Sequence, residues 1–585
     1  MDPTASKRPF TVEGNESSET VIADGNLEFV REKGGNYASP TYQEASGAPV
    51  ETQSPLGYQV HTFTVVFLNV GTMVGTGVFS TPSSIFSSLG SVGLSLFYWF
   101  IGFVISACAQ AVFLELASYF PSRSGGEVVY LEQAYPRPKW FFPTAFAVQS
   151  VLLSFSSSNA SIVLAEYVFR MANREPSAWE LKGVAVAGYT FAIILLIFNN
   201  RFSLWFANFI GIVKVLTLLF ISITGLVVLG GHTKVVDPKA SFRDSFEGTT
   251  DGAYGITNAL VKITFAYNGY QNAFNLVNEV KDPIRTLRMS APASLIIVAV
   301  FYILCNIAYF AAVPKDDLKA GKQIAASLFF TAVFGSSNAA RGLNFLIVVS
   351  AFGNLVTNLI GQSRLIRECG RQGVIPFPRF WASTRPFGTP LGPYFLKWAA
   401  TILMILAPPA GDAFNFAVDV KTYPEAVFYF CMTSGLLLIR RQRKHIGASK
   451  TEFRAWNVAV AVGLLSNIFL LVMPWYPPEG GMYAGDVSFW YATYCVVGIA
   501  IIITCALYYY LWIHLIPRWK NYQIRQDVLV LENGATTHRL VKVPNEKVAE
   551  WDKEHDAVGR LRTVRTGNRE NGSSDEGLVV RAGEP

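Results

Sequence analysis

The stretch 65–86, VVFLNVGTMVGTGVFSTPSSIF, is apolar and long enough to cross a bilayer, yet glycine interrupts it in the middle. Gly71, Gly75 and Gly77, with Pro82 beyond them, weaken helix where unpaired backbone groups in hydrocarbon are most costly. A helix broken at that depth must line a cavity. The amides that open its second half, near Gly75, Thr76 and Gly77, offer donors and a positive dipole end that suit a carboxylate. The carbonyls that close its first half suit a cation, so a zwitterion fits both ends of the break.

Segments of spanning length recur along the chain, about twelve by the criterion of roughly twenty apolar residues each. They run over 61–86, 92–118, 140–171, 181–199, 203–230, 254–278, 291–313, 341–366, 392–408, 416–439, 456–474 and 488–514. With 51% hydrophobic and 15% charged residues and a mean hydropathy of +0.31, the chain reads as an integral membrane protein. The net charge of +7 falls in short basic runs between apolar segments, where it orients the chain; it does not indicate a nucleic-acid partner. Arg367, Arg371, Arg379 and Arg385 follow the eighth segment, Arg440, Arg441, Arg443 and Lys444 the tenth, and Arg518, Lys520 and Arg525 the twelfth. The positive-inside rule then expects both termini in the cytoplasm.

Residues 1–55, rich in Ser, Thr, Glu, Gly and Pro, read as a disordered tail. Its Lys7 and Lys33 suit ubiquitin attachment through ligase adaptors, or belong to unused exposed chain. Residues 56–515 form the expected transmembrane domain. In the tail over 516–585, Val528, Leu529, Val530 and Leu531 face Leu540, Val541 and Val543 across Asn533-Gly534, a hairpin signal. Such a hairpin is marginal alone and is expected to dock or to stay disordered. No cleavable signal peptide is expected. The six cysteines lack CxxC spacing and the six histidines lack HExxH spacing, so no metal site is expected.

The sixth segment repeats the peculiarity of the first. Ala266-Tyr267-Asn268-Gly269-Tyr270 places polar and glycine residues in mid-span, five segments after the first break. Interrupted helices at corresponding places in two five-helix halves point to an inverted-repeat transporter with its site at the midplane. A glycine kink used only for packing is the alternative.

The motifs VGTMVGTGVFSTP, SRSGGEVVYLEQAY, FAYNGY, EVKDP and FGNLVTNLIGQSRLIRECGRQGVIP together resemble the amino acid-polyamine-organocation (APC) superfamily. Within it they are similar to the L-type amino acid transporter family, and most like fungal high-affinity methionine permeases, over roughly 58–515. The resemblance implies an all-α integral membrane protein with a LeuT-like 5+5 inverted repeat, about twelve transmembrane helices and helices 1 and 6 broken. It implies that the backbone at Gly75, Thr76 and Gly77 binds the substrate carboxylate, and that carbonyls of Met73, Phe265 and Ala266 bind the amine. Phe265 would be the aromatic gate, with Tyr267 and Asn268 beside the break. Lys214 stands at the family position of a sodium ion, its ammonium replacing the metal. Relatives commonly have glycine where Asn268 stands, so its amide either alters the pocket floor or satisfies freed backbone. The loop RMANREPSAWELKG lacks the cysteine that tethers a heavy chain, so no covalent heavy-chain partner is expected.

Other in-span charges are functional by default. Lys262 reads as snorkelling into the outer vestibule, or as touching substrate. Glu115 ends the second segment. Glu127 and Glu279 pair with Arg123 or Arg285 at an inner gate, or are solvated. Ser154, Ser156, Ser157, Ser158, Asn159 and Ser161 read as packing residues, or as substrate contacts. Transport is expected, importing a neutral amino acid, methionine favoured, across the plasma membrane, with a proton as the expected drive. The alternatives are a broad neutral amino-acid exchanger and a non-transporting sensor. Neither an enzyme nor a cofactor is indicated, because no nucleophile, paired carboxylates or Walker A motif is present.

Overall fold

A computed structural model of the chain describes residues 10–12, 21–24, 26–233, 235–320, 325–335, 338–407, 413–448, 451–478, 480–483, 488–532 and 534–562. Lys7 lies outside them. Each apolar segment read from the sequence is helical over most of its length. Eight described helices are long and apolar enough to cross a membrane, and Thr62–Met73 with Gly77–Leu89, bent by 41°, makes a ninth span.

The fifth helix, Asn200–Leu229, shows why these segments need a bilayer. Its Phe202, Trp205, Phe209, Leu216 and Ile223 are exposed, whereas Ser203, Ala207, Gly211, Lys214, Thr217 and Ser222 are buried. A water-soluble helix has the opposite arrangement; here large apolar side chains face lipid and small or polar ones face the bundle. Close backbone approach follows. A Cβ on Gly225 would lie 2.1 Å from Ala308 Cβ of the seventh helix, Pro283–Ala312. The eighth helix, Asn338–Arg371, packs on the first, third and fifth and so stands at the centre of the bundle.

Both tails meet on one face. The expectation of disorder over 1–55 does not fit the described part of that tail. Strands Phe10–Val12, Val21–Asp24, Leu27–Glu32 and Thr41–Glu44 form an antiparallel sheet in chain order. Its composition misled because the segment has little apolar core of its own. It docks instead by polar contacts: Asn36 Nδ2 donates to Pro121 O at 2.8 Å, and Arg367 Nη2 meets Glu51 at 2.6 Å.

The other tail forms an antiparallel hairpin, Tyr522–Val530 with Thr536–Pro544. Its register differs from the apolar pairing read from the sequence: Val528 faces His538 and Leu540 faces Gln526. Backbone docking sets that register. Arg371 Nε donates to Thr536 O at 2.7 Å, and Gln526 Nε2 to Ala45 O of the first tail at 3.0 Å. At Gly373, φ is +73° and a Cβ would lie 2.7 Å from His538 O, so the hairpin seats where only glycine fits.

The ion pairs of this face differ from those expected. Arg123 pairs with Glu132 and Glu368, both at 2.8 Å, and Glu279 pairs with Arg364 at 2.9 Å. Neither Glu127 nor Glu279 is bonded to Arg123 or Arg285 among the described contacts. Glu115 is not free at the end of its helix, because Arg440 reaches it at 2.6 Å. Glu368 lies 245 residues from Arg123, Arg440 lies 325 from Glu115 and Arg364 lies 85 from Glu279, separations that charge spacing does not reveal.

Candidate functional site

The first break follows from its local chemistry. Helix Thr62–Met73 ends at Val74 (φ −77°, ψ 74°), and Gly77 opens the second half-helix. Glycine is required there for close approach and not for a left-handed backbone. A Cβ on Gly75 would lie 2.3 Å from Asn354 Nδ2, and one on Gly77 2.9 Å from Ala266 Cα. The second break follows helix Ala253–Tyr267. Asn268 is extended there, Gly269 takes φ +125°, and a 3-10 helix resumes at Asn272–Glu279.

Asn272 and Asn69 pin the two breaks together. Asn272 Nδ2 donates to Thr72 Oγ1 at 2.9 Å and to Thr357 O at 3.0 Å, and Ala273 N donates to Asn69 Oδ1 at 2.9 Å. Between the breaks lies a cavity of about 50 Å³, room for ordered water. Met73, Gly75, Thr76, Gly77, Phe265 and Asn268 line it. Ala266 and Tyr267 do not: Ala266 packs against Gly77, and Tyr267 turns away to donate to Trp99 O at 3.0 Å.

The backbone groups assigned from the sequence are not equally available. The Gly75 amide donates to Met73 O at 2.8 Å, leaving Thr76 and Gly77 to head the second half-helix, whose first amides lack intrahelical partners. Tyr302 Oη lies 2.6 Å from Met73 O and 3.0 Å from Ala266 O, so one hydroxyl sits between two of the carbonyls assigned to the amine. Phe265 O accepts from Asn268 N at 3.1 Å. Each carbonyl keeps a second lone pair.

Lys214, fully buried, reaches the end of the first half-helix. Its Nζ donates to Gly71 O at 2.5 Å and to Val74 O at 2.7 Å. A cation at a helix C-terminus opposes the negative end of the dipole and satisfies carbonyls that the break has freed. The Lys262 expectation is corrected. Its side chain does not snorkel; it is buried and paired with Asp419 at 3.1 Å.

The Asn268 amide does neither of the two things expected of it alone. It lines the cavity, and its Nδ2 approaches Glu425 Oε2 at 3.4 Å while its Oδ1 accepts from Gln271 Nε2 at 2.7 Å. Gln271 supplies the acceptor for the freed Gly269 amide at 3.0 Å.

Several lining residues escaped the sequence reading: Thr72, Asn354 and Asn358, and, on helix Ala413–His445, Lys421, Thr422 and Glu425. Lys421 and Glu425, one helical turn apart in an apolar segment and 3.1 Å from each other, carried a readable signal as in-span charges. Ser156 and Asn159 line the cavity because the third segment is also broken, between Phe141–Leu152 and Ser158–Met171. Lys397 braces that break, donating to Ser154 O at 3.2 Å and Ser156 Oγ at 3.3 Å.

A family model described as "Amino acid permease" matches residues 60–502. The chain is 37% identical over 496 residues to the high-affinity methionine permease of Saccharomyces cerevisiae, covering 83% of this chain and 84% of that protein. It is 25% identical over 531 residues to the low-affinity methionine permease of the same yeast (89% and 95%), and 26% identical over 466 residues to the human b(0,+)-type amino acid transporter 1 (77% and 87%). With a multi-span helical bundle broken where the family model matches, the chain belongs to the amino acid permease family, as a transporter and not an enzyme.

Proposed function

We propose that this protein imports a neutral amino acid, methionine by preference, across the plasma membrane by proton-linked alternating access, with both tails in the cytoplasm. The observation that carries the reading is the cavity between the two breaks, headed by the Thr76 and Gly77 amides and walled by Phe265, in a chain 37% identical to a methionine permease. The carboxylate would lie on those amides. The amine would share the carbonyls now next to Tyr302, and Phe265 would close over the substrate. Lys214 would tie protonation to the first half-helix, whose carbonyls it holds. Exposed Lys33 is a candidate for ubiquitin attachment through an adaptor.

The alternative reading is exchange of one neutral amino acid for another. Labelled methionine uptake in cells lacking their own permease, competed by a panel of unlabelled amino acids, separates the readings. Methionine should compete best, and uptake should exceed equilibrium without internal amino acid. Phe265→Ala should raise the KM for methionine about tenfold, the loss of roughly 1.4 kcal/mol of contact. Wild-type KM in a surface-expressed Phe265→Ala protein would remove Phe265 from the site.

A further inference from the structure

Lys421 and Glu425 line two cavities at once. One is the chamber between the breaks; the other, of about 40 Å³, lies toward the face that carries the tails and is also lined by Glu127, Gln271 and Tyr429. Its size and polar walls suit a few hydrogen-bonded waters. Glu127 is 5% exposed, and its Oε2 has no hydrogen-bond partner among the described residues although it belongs to this cavity wall. A buried carboxylate oxygen left without a donor is costly unless a proton or water reaches it. Two carboxylates thus share one water-sized cavity, and Glu425 also lines the chamber between the breaks.

We propose that Glu425 takes the co-transported proton from the chamber and passes it through the water of the inner cavity to Glu127, which releases it toward the tails. The proposal rests on the proton-linked reading above. It deepens that reading by naming the path: Lys214 ties protonation to the first half-helix, and the Glu425–Glu127 route carries the proton onward from the chamber.

The step balances. A proton adds to a carboxylate oxygen of Glu425 and cancels its attraction for Lys421; transfer to Glu127 restores the Glu425 carboxylate, and release restores that of Glu127. One proton crosses and neither side chain is altered. Coupling to substrate runs through Asn268, whose Nδ2 faces Glu425 and whose Oδ1 is held by Gln271, itself bonded to Tyr429 Oη at 3.0 Å. Neutralising Glu425 weakens that charge-assisted contact and frees the second break, which walls the chamber.

Every element around Glu425 contributes a group to this balance. Lys421 and Tyr429 come from its own helix, Asn268, Tyr270 and Gln271 from the second break, Glu127 from helix Glu127–Ala134, and Lys397 from helix Leu391–Leu406. Burial pushes the Glu127 carboxyl up to about 7, where it exchanges protons readily at neutral pH.

The test measures protons carried per methionine in proteoliposomes holding a pH-sensitive dye, with methionine as the probe. Wild type should acidify the lumen on methionine addition. Glu425→Gln should lose that acidification while Glu425→Asp, which keeps a titratable group, restores it; Glu127→Gln should slow it severalfold. A Glu425→Gln protein carrying as many protons per methionine as wild type would overturn the route and leave proton coupling standing. No acidification by wild type would overturn the proton-linked reading together with the route. Should Glu425→Gln fail to insert, wild-type stoichiometry and rate in Glu127→Gln overturn the relay on their own.

Discussion

At the breaks in the membrane the braces are lysines aimed at backbone carbonyls, whereas on the face that carries the tails the buried cations are arginines aimed at carboxylates. Lys214 holds Gly71 O and Val74 O, and Lys397 holds Ser154 O. Arg123 meets Glu132 and Glu368, Arg371 meets Glu368, Arg364 meets Glu279, and Arg367 meets Glu51. A guanidinium fork matched to a carboxylate has fixed geometry and a full counter-charge. An ammonium on carbonyls has only partial charges to face, so it is bound as long as the broken backbone stays in place. The arginine set therefore holds one arrangement, while the lysine set depends on the conformation of the helices that alternating access must move.

The sharpest test of the lysine side compares its two members. Lys214→Met strips the cation from two carbonyls at a helix end and should abolish concentrative uptake in a protein that still reaches the surface. Lys397→Met should cost only severalfold. The third break already satisfies itself by turn hydrogen bonds, Ser156 N to Leu153 O at 3.2 Å and Ser158 N to Phe155 O at 2.9 Å. Equal losses in labelled-methionine uptake would show that both breaks move in transport. Unchanged accumulation and pH dependence in Lys214→Met would make it a structural brace.

On the arginine side, Arg123→Ala leaves Glu132 and Glu368 buried without their shared counter-ion. Removing one partner of such a set typically costs about 3–5 kcal/mol. The expected outcome is a large fall in melting temperature of the detergent-purified protein and in surface level. A variant that melts like wild type would show that Arg371 on Glu368 and the Gln372 amide donating to Glu132 alone keep the two carboxylates, and the arrangement would then be redundant and not rigid.

How much of this was legible depends on where the partners lie in the chain. Glycine within an apolar run announced the first break, and Asn268-Gly269 the second, because in hydrocarbon a local weakness of helix has nowhere to go unnoticed. The third break was hidden: serines are compatible with close helix packing, and Ser154–Ser158 read the same whether helical or not. Lys214 was legible as an in-span charge, and by the same rule Lys421 and Glu425 should have been. The close approach at Gly77 left no sign in the sequence. Its missing Cβ makes room for Ala266 of the sixth helix, so a valine there would push the half-helices apart before it touched substrate. The tail sheet and hairpin were least legible, because their stability comes from docking on span ends and on each other, and no local apolar pattern records that.

The smallest expected effect tests whether the docked tail belongs to the rigid side. His538 is fully buried on the hairpin, and its Nε2 lies 2.9 Å from Val558 O. A carbonyl only accepts, so Nε2 carries the proton, and Nδ1 is left bare with no partner among the described residues. Protonating Nδ1 would place a charge in that dry site. Burial, reinforced by Arg123, Lys139 and Arg371, pulls the imidazole down from 6.5 to about 3. The sign follows from linkage: the undocked tail binds a proton below pH 6.5 and the docked tail does not, so docking is fully supported above 6.5 and weakens as pH falls toward 3. Hydrogen exchange of the Tyr522–Val530 amides should therefore accelerate as pH is lowered from 7 to about 5, after correction for the intrinsic rate. His538→Gln, which keeps a donor for Val558 O but cannot be charged, should flatten that dependence; the same acceleration in His538→Gln would assign it to another group and leave the hairpin outside the rigid set.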